Sequence, residues 1–187
     1  MMRYCFLLFI SVFLQASPNV YFDDRAAGEL LKRIEAEDKK VHMAIYSFTH
    51  PQIIKALIAA KKRGVDVQVL IDASSVKSKS PAPRLDKQGI HLYLWEGSRM
   101  HGSFCVFDQG VWVGSLDGSR KYRPEDCEYA LLLEDPKTVS LFEKRFLELR
   151  LVALPYKDRK ERMQKQAPQT IDAVALQLDE KTFHVQK

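Results

Sequence analysis

Val41-His-Met-Ala-Ile-Tyr-Ser47, Pro51-Gln-Ile-Ile-Lys-Ala-Leu-Ile-Ala-Ala-Lys-Lys-Arg-Gly64 and Val65-Asp-Val-Gln-Val-Leu-Ile71 follow one another almost without interruption. The first and third segments are short apolar runs bounded by charged or polar residues, the pattern of buried strands. The middle segment places Ile53, Ile54, Leu57 and Ala60 on one helical face, with Pro51 in its first turn. Lys61, Lys62 and Arg63 complement the negative end of that helix, and Gly64 stops it. Strand, helix and strand at this spacing form a βαβ unit, so the central sheet is expected to be parallel here and covered by helices.

Outward from this unit, Asn19 to Phe22 reads as a short strand. Asp23-Asp24 then caps a helix carrying Ala27, Leu30, Leu31 and Ile34 at helical spacing. Ala73 to Pro83 is rich in Ser, Lys and Pro and reads as a surface loop. A short helix to Gln88 and a strand from Ile90 to Trp95 follow. Glu128 to Leu133 reads as another strand. Asp135-Pro136 opens a helix with Val139, Leu141, Phe142, Phe146 and Leu147 as its apolar stripe. No internal repeat is visible.

The 187 residues suit one domain with a real apolar core, 46% of them being hydrophobic. The net charge of +5 favours anionic partners such as nucleic acid or phospholipid surfaces, and equally fits a well-solvated basic surface. At the N-terminus, Arg3, the apolar run Tyr4 to Leu14 and the small residues Gln15-Ala16-Ser17 resemble a processing signal. The expected organisation is a signal peptide or N-terminal anchor over 1–17, a domain over 18–154, and a charged peripheral tail over 155–187. The corresponding localisation is export, to the periplasm or the exterior, with membrane anchoring by the first segment as the alternative.

The stretch richest in chemistry runs Met100-His-Gly-Ser-Phe-Cys-Val-Phe-Asp-Gln-Gly-Val-Trp-Val-Gly-Ser-Leu-Asp117. It sets His101 at the mouth of two short apolar strands joined by a Gln109-Gly110 turn and followed by Gly114-Ser115. A basic loop containing Arg120, Lys121 and Arg123 comes next.

These residues resemble a single-motif member of the phospholipase D superfamily, close in pattern to its small exported bacterial endonucleases. The resemblance runs from about Asn19 to Leu149. It is carried by Ala44 to Thr49, Lys55 to Leu57, Ala60 to Val67, Leu70 to Asp72 and the His101 stretch. It implies a phospholipase D-like α-β-α sandwich with a mixed, largely parallel central sheet. The family signature is His-x-Lys, four residues, Asp, six residues, Gly-Ser-x-Asn. His101, Asp108, Gly114 and Ser115 match it. Ser103 stands at the lysine position, Asp117 stands at the asparagine position, and five residues rather than six separate Asp108 from Gly114.

The implied mechanism uses His101 as nucleophile, forming a phosphohistidine and splitting one displacement into two. A second copy of His101, from a homodimer partner, protonates the leaving oxygen and then activates water. His42, His50, His91 and His184 lack the surrounding pattern. Glu128, eleven residues after Asp117, falls where the family has the carboxylate that orients the imidazole. Ser103, Ser115 and Asp117 would line the phosphate, with Asp108 and Gly114 structural; no cofactor or metal is implied. Cys105 shares strand parity with His101, whereas Cys127 is out of phase with Glu128, so both are expected as free, buried thiols.

The substituted positions divide the functional expectation. Losing one positioned phosphate donor typically costs about 10²–10³ in rate. An ionised Asp117 roughly 4 Å from a phosphate would add about 4 kcal/mol of repulsion at an effective dielectric of 20. Arg99, Arg120 and Lys121 are the nearby cations able to compensate. One reading is a phosphodiesterase acting on nucleic acid or phospholipid. The other is an impaired or inactive homologue that binds anionic phosphates or a protein partner.

Overall fold

The computed structural model describes residues 18–47, 49–77, 80–115 and 128–161. In chain order these form β1 (Asn19–Phe22), α1 (Asp24–Ala36), β2 (Lys40–Ile45), α2 (Pro51–Lys62), β3 (Asp66–Asp72), α3 (Ala82–Lys87), β4 (His91–Trp95), β5 (Ser103–Val106), β6 (Val111–Gly114), β7 (Tyr129–Leu133), α4 (Pro136–Val152) and β8 (Leu154–Pro155). The expected leader, the basic loop, Asp117, Cys127 and the tail beyond 161 lie outside the described residues.

The strands make one mixed sheet in the order β1-β7-β6-β5-β2-β3-β4-β8. Its parallel part is confined to β2, β3 and β4, and every other pairing is antiparallel. Parallel character is therefore local rather than dominant. Parallel neighbours need a long crossover, and α2 and α3 supply the two that exist, whereas a tight turn such as that between β5 and β6 permits only antiparallel pairing. That turn is closed by Phe107 N–H donating to Gly110 O at 2.8 Å. Its centre is Asp108-Gln109, one residue earlier than the sequence suggests, and Ser103 lies opposite Gly114.

Helices cover both faces, giving the expected α-β-α sandwich. On one face α1 and α2 bury Leu30, Ile34, Ile53 and Leu57 against Met43, Val69, Cys105 and Trp112. On the other, α4 sets Phe146 against Ala44 and Leu70, and Val139 against Val106 and Val111. Leu141, assigned to the stripe of α4 from its spacing, is instead 58% exposed. Gly64 has φ 95°, and Val65 N–H bonds back to Ala60 O at 3.2 Å, which ends α2 as its sequence suggests. β8 pairs with β4, and Tyr156 packs against the core. Cys105 is a buried free thiol whose ionisation burial pushes well up, so it is chemically quiet.

His42 has a structural setting far from the pattern of His101. It is 5% exposed and stacks on Phe146 with ring centroids 4.9 Å apart. Nδ1 meets Glu143 Oε1 and Nε2 meets Asp66 Oδ2, each at 2.9 Å. Burial alone would favour the neutral ring, but the two carboxylates outweigh it and raise its pKa. Lys40 bonds Glu143 at 3.1 Å, and Gln68 links Asp66 to Arg150 at 2.8 and 2.9 Å. The network joins α4 to β2 and β3.

Candidate active site

Strand polarity gathers the candidate residues. β5 runs antiparallel to β2, β6 to β5, β7 to β6 and β1 to β7. The segments after β2, before β5, after β6, before β7 and after β1 therefore share one end of the sheet. They carry Tyr46, His101, Ser115, Glu128 and Asp23. β3 runs parallel to β2 and delivers Asp72 to the same end.

His101 is exposed, in the two-residue approach to β5. Its place is set by Asp72, a carboxylate only 3% exposed. Asp72 Oδ2 accepts Met100 N–H at 2.9 Å, while Oδ1 accepts Ser74 N–H at 2.9 Å and the Ser74 hydroxyl at 2.6 Å. Burial pushes this carboxyl up, but the Ser74 and Met100 donors and the nearby Arg99 charge outweigh it and hold it below its ordinary value. Asp72 enters the sequence reading only within the Leu70–Asp72 stretch of the resemblance, with no role assigned to it. Its signal was an acidic residue closing an otherwise apolar strand.

The segment leading to Met100 is shaped by Trp95, whose indole N–H donates to Ser98 O at 2.6 Å. Gly97 lies against that ring: a Cβ there would sit 2.5 Å from Trp95 Cζ2. Arg99 then stacks over Tyr46, its guanidinium carbon 5.7 Å from the ring centroid.

Across β6 and β7, Ser115 and Glu128 meet. Ser115 Oγ donates a short hydrogen bond to Glu128 Oε2. Its oxygen accepts Tyr129 N–H at 3.1 Å, and its own N–H donates to Tyr129 O at 3.0 Å. Asp23 holds Glu128 from the other side. Asp23 N–H donates to Glu128 O at 2.9 Å, and Glu128 N–H donates to Asp23 Oδ1 at 3.3 Å. Asp23 has φ 52° and makes no side-chain cap to α1, so the residue read as a helix cap serves the site's edge instead. Glu128 takes its hydrogen bond from Ser115, and His101 makes none among the described residues.

The remaining motif residues divide in space. Ser103, 5% exposed, is buried at the start of β5. Gly114 faces it across the strands, where a Cβ would lie 2.5 Å from Tyr129 O, so only glycine allows β7 this close. Asp108 lies at the opposite end of the sheet. There Lys39 Nζ donates to Oδ2 at 2.7 Å, and Asp108 N–H donates to Glu37 Oε2 at 3.2 Å. His50, set aside for want of a motif, caps α2 just after Tyr46. Its Nδ1 is buried with no hydrogen-bond partner among the described residues, and burial lowers its pKa.

Comparison with known proteins fits this arrangement. Residues 30–150 match the family model described as "Cardiolipin synthase, PLD-like domain". The mouse protein named mitochondrial cardiolipin hydrolase is 27% identical over 126 residues, 66% of this chain and 57% of that protein. The human counterpart is matched over 50% of its length, so the chain spans about half the length of these relatives. Among solved structures, Nuc from Salmonella typhimurium, titled a phospholipase D family member, superposes with a TM-score of 0.67 at 26% identity. That match covers 75% of this chain and 99% of Nuc. NucT from Helicobacter pylori shares the fold, with a TM-score of 0.69 at 22% identity over 75% of this chain and 99% of that one. A family model matching residues 30–150, on a sheet that brings His101 and Ser115 of the signature to one end, establishes that the chain belongs to the phospholipase D-like family.

Proposed function

We propose that this chain is a phosphodiesterase of the phospholipase D type, hydrolysing phosphodiesters of nucleic acid or phospholipid through His101. The observation that carries the reading is the shared sheet end, where exposed His101 and the Ser115–Glu128 pair are fixed by independent strands. The imidazole attacks phosphorus: a P–N bond forms and the P–O bond to the leaving group breaks. A second copy's His101, in a homodimer, gives its proton to the leaving oxygen and then takes one from the water that cleaves the P–N bond. Among the described residues Ser115 bonds Glu128 Oε2, and this reading assigns Oε1 to the imidazole N–H.

A second reading rests on Ser103, which is uncharged and buried where the signature has lysine. On that reading the chain binds anionic phosphates, or a protein partner, without turning substrate over. Hydrolysis of bis(p-nitrophenyl) phosphate and of plasmid DNA by wild type and His101→Ala separates the two. Turnover that falls by about 10⁴ or more in His101→Ala supports the phosphodiesterase. An inert wild type supports the binding homologue. The same proteins titrated with DNA and with cardiolipin-containing vesicles rank the substrate classes, and a steep salt dependence is expected for phosphate contacts.

A further inference from the structure

The end of the sheet that presents His101 is lined by carboxylates, with Asp23, Asp72 and Glu128 all delivered there. A phosphate anion reaching the imidazole must be held against that field by a cation, and buried Ser103 supplies none. Among the described residues beside His101, Arg99 is the cation that can do it. It is exposed and precedes His101 by two residues, on the segment that Asp72 anchors through Met100.

Its setting is that of a held but unused guanidinium. The group lies over Tyr46 at 5.7 Å, which restrains its plane without using its N–H donors. Asp72, the carboxylate that feels its charge, already accepts from Met100 N–H, Ser74 N–H and the Ser74 hydroxyl. Arg99 itself donates no hydrogen bond and forms no salt bridge among the described residues. Five N–H groups in a planar fork therefore remain for an oxyanion, and a guanidinium pairs two phosphate oxygens at once.

We infer that Arg99 binds the non-bridging oxygens of the phosphate presented to His101, with Tyr46 as its platform, replacing the charge that Ser103 lacks. This rests on the phosphate-site reading above, and it adds a clamp supplied from the loop before the nucleophile instead of from β5.

The test pairs binding with turnover. Inorganic phosphate is titrated into the full chain and followed by 31P line broadening, and kcat and KM are measured on bis(p-nitrophenyl) phosphate. Arg99→Gln is expected to weaken phosphate binding at least tenfold and to lower kcat/KM by about 10²–10³. Arg99→Lys should recover only part of both, because it keeps the charge but not the fork. Tyr46→Ala, which removes the platform, should fall between wild type and Arg99→Gln. An unchanged melting temperature in Arg99→Gln separates lost binding from lost fold. Phosphate binding and kcat/KM within threefold of wild type in Arg99→Gln would overturn the assignment even if the enzyme is active. An inert wild type that binds phosphate through Arg99 would overturn the hydrolytic reading and leave the clamp standing. A wild type that does neither overturns both.

Discussion

The Asp72 carboxylate accepts the Met100 N–H at 2.9 Å, so the end of β3 fixes the residue immediately before His101. A buried carboxylate with three donors is a rigid anchor, and its removal strands those donors. Asp72→Ala is expected to cost about 2–4 kcal/mol in urea denaturation at pH 7. Because the folded pKa of Asp72 is depressed, its contribution is present above the unfolded value near 3.8 and is lost as pH falls through the folded one. Asp72→Ala should therefore flatten the acid limb of the stability profile; an unaltered limb would count against the anchor.

His42 gives the opposite sign. Its folded pKa is raised above 6.5 by Glu143 and Asp66 against the effect of burial. The stabilisation it brings is complete below that unfolded value and is lost as pH rises through the folded pKa. Proton NMR of the His42 ring should show a midpoint above 6.5, and His42→Gln should lose less stability than wild type between neutral and alkaline pH. A midpoint below 6.5 contradicts the carboxylate-clamped imidazolium.

Gly114 meets Tyr129 O at 2.5 Å through any added Cβ. Gly114→Ala must push β7 away, and with it Glu128 and the Tyr129 backbone that bonds Ser115. The expected cost is about 1–3 kcal/mol, with kcat falling more than the melting temperature alone explains. An alanine variant with native stability and activity would show that the strand spacing is not set here.

Ser103 and Asp117 are the two positions at which the sequence departs from the signature's phosphate-binding Lys and Asn. Restoring the signature with Ser103→Lys and Asp117→Asn should raise kcat/KM on bis(p-nitrophenyl) phosphate by about 10² in an already active wild type. If turnover appears only in the double variant, the natural chain is the binding homologue. The paired-histidine mechanism also requires a twofold mass by light scattering, and a strict monomer removes it.

Much of the fold was legible because hydrophobic period and stop signals are local properties. Val41 to Ile71 encodes its βαβ unit through apolar runs and Gly64, and Asp135-Pro136 starts α4 where expected, with Asp135 Oδ1 accepting Thr138 N–H at 2.8 Å. Strand direction beyond that unit was less legible, because the antiparallel majority follows from which distant strands meet. Leu141 satisfied a helical spacing yet faces outward, since spacing does not say how wide a face α4 buries. At the site, the matched signature picked out His101, Ser115 and Gly114. It could not show that Asp72 anchors the segment before His101 or that Asp23 bonds Glu128, because both bonds join residues far apart in sequence. The Arg99–Tyr46 stack was hidden for the same reason, two loops being joined only by the sheet between them.

The most direct test of the central claim is the chemical state of His101 during turnover. Protein mixed with excess bis(p-nitrophenyl) phosphate, quenched in alkali and digested, should yield the His101 peptide carrying a phosphoryl adduct, absent from His101→Ala. Steady hydrolysis with the His101 peptide unmodified at every quench time, and undiminished in His101→Ala, would contradict it.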